Sequence, residues 1–333
     1  MRPVLLVLLF SALCSAQTLS PEQLLQQGAD AQQRGDLASA VSDYQRALKL
    51  EPGLLAARVN LAGALMGLGR LDEAAENYRL ALRQQPSNLQ IITRLGNCLI
   101  VSGHDRDAIR LLAPVEKSHP ADLDVAFLLG EALIHQGQVK EGLKRVERVA
   151  RARNDVQAWM LAGLEELKLG EVAQAVRSLD KGLSLDPTVP GGYTLCGVAK
   201  ALAGDETGAK AAFLKALKAD PNDVDAIWRL GTILRLEGSL QEAERLLKRA
   251  LSIDPSSLHA RFQMAQVEVA EGRQDAALAD LESIARDAPN ILDVHVQLSA
   301  LYYRLHRPED GLREKQIVDH LTAAPEEQDH RLE

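Results

Sequence analysis

The chain has 333 residues, more than one compact core normally holds, so it forms either two globular domains or one extended array. Apolar residues make up 46% and aromatics only 3%, a balance rich in Leu and Ala that suits closely packed helices and excludes a β-rich fold. The net charge of −8 excludes nucleic acid as a partner, because phosphate binding requires a basic face.

Residues 1–16 carry Arg2, the apolar run from Val4 to Phe10, and small residues ending Cys14, Ser15 and Ala16. That order is the pattern of a secretory signal peptide, with cleavage expected after Ala16 and a mature chain that is periplasmic or secreted. The apolar run is too short for a permanent span. Leu13 stands before Cys14 where a lipidation signal has a small residue, so no membrane anchor is expected.

Downstream, the chain repeats itself. Pro52, Pro86 and Pro120 lie 34 residues apart, as do Pro187, Pro221, Pro255 and Pro289. The interval of 67 between the two sets is one residue short of two repeats, and Asn154 stands near the missing proline. In this frame nine units begin at Pro21, Leu55, Leu89, Leu123, Val156, Pro190, Val224, Leu258 and Leu292. Position 8 is small in every unit (Gly28, Gly96, Gly163, Gly197 and Gly231 among them), and so is position 20, as in Ala40, Ala74 and Gly142. The two small rows are expected to face each other and let paired helices approach. Position 15 is glycine in eight units, from Gly35 to Gly272, and predicts a left-handed turn between two helices. Position 24 is large, as in Tyr44, Tyr78, Phe213 and Leu281, and the proline at position 32 ends the second helix.

These residues resemble the tetratricopeptide repeat family over about residues 21–322, and Trp159 and Tyr193 occupy its first aromatic slot. The resemblance implies an all-α, right-handed superhelical solenoid of antiparallel helix pairs over residues 17–322, working as a non-enzymatic scaffold for protein or peptide segments. It also implies a concave groove lined by the first helix of each repeat. Phe127, Met160, Trp228, Phe262 and Val296 fall at position 5 of that helix, and Arg235 and Tyr303 at position 12. Trp228, Phe262 and Val296 are expected to form a continuous open apolar track, a surface for apolar or amphipathic segments. The family's lysine and asparagine clamp for a terminal carboxylate is not matched, since Leu25 and Ala29 stand at its first positions.

Local departures carry their own expectations. Gln27, Glu166, Lys200 and Glu268 replace apolar residues and predict looser packing. Pro114 is expected to bend its helix. The cluster Lys144, Arg145, Arg148, Arg151 and Arg153 reads as the solvated end of a helix. Cys98 and Cys196 fall on core positions and read as buried free thiols. In the last unit Lys315 replaces the large residue and His306 the turn glycine, marking a polar cap from about Glu309 to Leu321 that opposes end-to-end stacking. Residues 323–333 are polar and aperiodic and are expected to be disordered.

No metalloprotease, phosphate-loop, paired-cysteine or nucleophile-elbow motif is present, and the histidines are scattered as expected for surface residues. Glu131 and His135 share a helix face, a spacing that is more often incidental than a metal site. Catalytic residues, cofactors, metals and a small-molecule substrate are therefore not expected. The leading function is an exported scaffold for envelope or secreted complexes. A self-associating solenoid and an enzyme with an unrecognised site are the alternatives.

Overall fold

The computed structural model describes residues 19–323. The leader assigned to residues 1–16 and the tail from residue 324 lie outside the described residues. Among the described residues the chain forms eighteen α-helices and no strand, and it divides into two compact units, residues 1–149 and 150–333. The first unit holds α1 (Pro21–Gln33), α2 (Leu37–Leu50), α3 (Leu55–Gly67), α4 (Leu71–Gln84), α5 (Leu89–Val101), α6 (Asp105–Ser118), α7 (Leu123–His135) and most of α8 (Val139–Arg153). The second holds α9 (Val156–Lys168), α10 (Val172–Leu185), α11 (Gly192–Leu202), α12 (Glu206–Ala219), α13 (Val224–Leu236), α14 (Leu240–Ile253), α15 (Leu258–Ala270), α16 (Gln274–Asp287), α17 (Leu292–Arg304) and α18 (Pro308–Ala323).

Local sequence sets these boundaries. Ser20 caps α1 in a reciprocal box with Gln23, and Asp36, Asn88, Asp122, Asp155, Asp205 and Asp223 cap later helices through side-chain oxygens. Glycines at the turn position, Gly35 through Gly272, adopt φ of 73 to 81° as their spacing predicts. His306 takes their place with φ 57°, and Asn154, beside the missing residue, has φ 51°. Eight of the odd-numbered helices begin where the repeat frame puts them, while α11 begins at Gly192 rather than Pro190 because Gly191 turns the chain at φ 67°. The last helix runs to Ala323, one residue into the segment expected to be irregular.

Packing within the hairpins adds to one expectation. The small residue at position 8 faces the small row at position 20, as expected, and also receives the large side chain at position 24. A Cβ on Gly28 would lie 2.6 Å from the Tyr44 ring, one on Gly163 2.5 Å from Leu179, and one on Gly197 2.6 Å from Phe213. The small rows also meet: a Cβ on Gly142 would come within 2.4 Å of the Gly130 carbonyl oxygen, one on Gly231 would lie 3.7 Å from the Ala243 carbonyl oxygen, and Ser299 Oγ donates to the Gly311 carbonyl. The polar departures do not open the helices either. Glu166 and Glu268 are buried, and Lys200 Nζ pairs with Asp180 at 2.8 Å, whereas Gln27 points to solvent. Helix α6 continues through Pro114 to Ser118. Cys98 and Cys196 are buried free thiols, and burial, reinforced by Asp180, pushes Cys196 up to about 11. No described helix is long and apolar enough to cross a membrane.

Candidate functional site

In the second unit a cleft of about 340 Å³ opens between α11, α12 and α13, with Gln263 of α15 at its edge. Its floor is apolar, made by Ala209, Phe213, Trp228 and Ile233, and Leu236 stands at the rim 68% exposed. Thr232, Glu206, Arg229 and Arg235 supply polar groups.

Trp228 organises this wall. Its indole Nε1 donates to Asp225 Oδ1 at 3.0 Å, one turn earlier on α13. The His259 ring of α15 stacks on it at 4.7 Å between centroids with an interplanar angle of 18°, and the Arg229 guanidinium lies 4.3 Å from its ring centre. Burial lowers the pKa of Arg229, against the carboxylates of Asp225 and Asp223. Burial, followed by Arg229, also lowers that of His259. Asp223 caps α13 through the Ala226 amide at 2.9 Å and accepts the Thr194 hydroxyl at 2.5 Å, so its oxygens are already engaged. Arg229 makes no ion pair among the described residues. Its guanidinium lines the cleft with no described carboxylate within ion-pair distance, and Glu206 lines the same cleft. Arg235 Nε donates to Gln263 Oε1 at 3.2 Å and is held at the edge.

The residues expected to line an apolar track do not form one. Phe262 is fully buried in a cluster with Ala265, Leu281 and Leu298, and Trp228 is 6% exposed. The following hairpin covers position 5 in both cases, which removes them from an open surface. Val296 and Tyr303, in the last hairpin, are 43% and 45% exposed. Met160 is half-buried against the cluster of Leu179, Leu183 and Cys196, and Phe127 is half-buried in the first unit. Of the expected set, Trp228 and Arg235 share the cleft. Sequence reasoning missed Arg229, Thr232 and Gln263, because the position beside a buried aromatic carries no signal of its own.

Other polar clusters serve packing. Arg145 and Arg148 both grip Glu116 of α6, at 3.0 and 2.9 Å, so this part of the basic run ties α8 to α6 and is not simply a solvated end. His135 Nδ1 meets Asp105 of α6 at 3.0 Å instead of pairing along its helix with Glu131. His295 is buried, contrary to the surface placement expected of the histidines. Among the described residues no group of three or more His, Cys, Asp or Glu side chains is placed to hold a metal ion.

The tetratricopeptide repeat family matches residues 31–76, 65–122, 106–164 and 234–301, and further repeats of the same description match 156–189 and 203–257. The chain belongs to the tetratricopeptide repeat family. No curated protein matches this repeat protein. Solved structures do. A tetratricopeptide repeat protein from Parabacteroides merdae is 18% identical, with a TM-score of 0.54, covering 74% of this chain and 98% of its own. The C-terminal part of a repeat-containing protein from Cytophaga hutchinsonii is 16% identical, with a TM-score of 0.56 and coverage of 72% and 99%. The Cut9–Hcn1 hetero-tetramer of the APC/C is 14% identical, with a TM-score of 0.56 and coverage of 92% and 65%. At these identities the likeness establishes the fold alone, a helical repeat array compatible with protein–protein interaction.

Proposed function

We propose that the protein is an exported, non-catalytic scaffold that clasps a partner segment in the cleft between α11, α12 and α13, serving assembly in the envelope or of a secreted complex. The observation that carries this reading is the juxtaposition of an apolar floor with Arg229, whose cation has no described carboxylate within ion-pair distance. A segment presenting an apolar side chain next to an acidic one fits both features. The apolar group would fill the cleft and supply most of the affinity, and the acidic group would set orientation and rate of encounter. Export rests on the leader pattern of residues 1–16 and is supported if the intact mass of the protein from its source begins at Gln17.

Fluorescence anisotropy with labelled peptides tests the cleft. Peptides pairing Leu or Phe with Glu should bind, and the same peptides with Lys in place of Glu should bind at least tenfold more weakly. Arg229→Gln and Leu236→Asp should each weaken binding of the acidic peptides about tenfold, a loss of roughly 1.4 kcal/mol, with the helical circular-dichroism signal unchanged. Unaltered binding in both variants would place the binding surface elsewhere.

A further inference from the structure

The last described hairpin differs from those before it. At position 21 the apolar residues Val41, Ala75, Leu143 and Leu278 are buried, but Leu312 on α18 is 51% exposed. On α17, Val296, Ala300 and Tyr303 are all exposed and, at intervals of four and three residues, lie on one face. In the preceding hairpin the equivalent Phe262 and Gln266 are buried and Val269 is half-buried. The open stripe of α17 and Leu312 thus occupy positions that the next hairpin covers earlier in the array.

This face is held rigid. His295 Nδ1 meets Glu314 Oε2 at 2.6 Å and its Nε2 meets the Pro289 carbonyl at 2.9 Å, which fastens α17 to α18 and to the preceding loop. Ser299 Oγ donates to the Gly311 carbonyl at 2.9 Å, and a Cβ on Gly311 would lie 3.0 Å from the Tyr303 ring. Beside the apolar stripe stand Lys315 and Asp319, one turn apart on α18 and exposed. They replace the packed Leu281 and Ala285 of the preceding hairpin. Neither makes an ion pair among the described residues.

We infer that this face is a self-association surface on which a second copy of the chain docks about a two-fold axis. The charge pattern selects that occupant. Two antiparallel copies of α18 crossing near Ile317 bring Lys315 of each opposite Asp319 of the other, with Leu312, Val296 and Tyr303 flanking the pairs. Such a surface is self-complementary, as a two-fold interface requires. Head-to-tail stacking lacks a matching surface, because the solvent face of α1 carries Glu22, Gln23, Gln26 and Gln27. Helices about 20 Å (α17) and about 24 Å (α18) long, each about 10 Å wide, present about 440 Å² per copy, or roughly 900 Å² in total, the range of a weak, transient dimer.

Sedimentation velocity of the mature chain from about 1 to 200 μM tests this. A concentration-dependent dimer is expected. Lys315→Glu or Asp319→Lys alone should raise the dissociation constant at least tenfold, because each puts like charges in contact. The double variant K315E/D319K should restore it to within about threefold, an outcome that damage to the fold cannot produce. A wild-type chain that stays monomeric to 200 μM overturns the inference, as does a double variant no tighter than the singles. Dimerisation that appears only after deletion of residues 324–333 would assign the face to that segment and also overturn it.

Discussion

Glu268 occupies the position that Leu65, Leu99, Leu133 and Leu234 fill in other hairpins, and it is only 7% exposed. Burial raises its pKa, and the nearby Glu244, Glu271 and Asp280 add to that, while Arg273 at 3.5 Å opposes it. A raised folded-state value means that the native state holds the proton more tightly than the unfolded chain. Its contribution to stability is therefore full below the unfolded value of about 4.5 and is lost as pH rises through the higher folded value. Glu268→Gln should accordingly stabilise the protein near pH 7.5, by about 1 kcal/mol, with the gain shrinking toward pH 4. Thermal melts at the two pH values check this, and a gain that grows on acidification would refute it. The residue was legible as a departure from the repeat, but its burial was not. A polar side chain at a core position can turn outward, as exposed Gln27 does, or stay inside against an arginine, as Glu268 does, and spacing alone does not choose.

The hairpin is the element whose geometry this sequence specifies best. Turn glycines announce themselves because only they reach φ near 75° without strain, and helix starts follow from caps and a 34-residue frame. That the large residue at position 24 also packs into the small position 8 was not legible, since spacing along one helix does not say which rows of the other helix interdigitate with it. This contact has a consequence at Gly197. A Cβ there would stand 2.6 Å from Phe213, which also floors the cleft. Gly197→Ala should cost about 1–3 kcal/mol through overpacking and weaken binding of the acidic peptides by displacing the floor. Adding Phe213→Leu should recover most of the stability, since the eighth hairpin packs Ala265 and Leu281 in one cluster. Urea curves for the single and double variants measure it, and additive losses would remove the assigned contact. The buried state of Trp228 and Phe262 escaped the sequence for a related reason. Their cover comes from the next hairpin, whose distance a repeat pattern does not encode.

At the scale of the whole molecule, helices in each unit pack against elements adjacent in the chain or two apart, so stability is built from neighbouring terms. Leu230 sits 3% exposed in the cluster of Phe213, Trp228, Leu247 and Ala260, which spans α12 to α15. Leu230→Ala removes branched apolar volume from that cluster and should cost about 2–5 kcal/mol locally. In a globular core such a loss lowers protection everywhere. Here it should fall on the hairpins that touch Leu230, because more distant helices share no side chain with it. Hydrogen exchange should show amides of α12 to α15 opening faster while those of α1 to α5 keep their wild-type rates. The urea transition should broaden as the second unit loosens first. Equal acceleration of exchange in α1 to α5 and α12 to α15, with one sharp shifted transition, would show that the chain unfolds as a single cooperative body and that the neighbour-by-neighbour account of its stability is wrong.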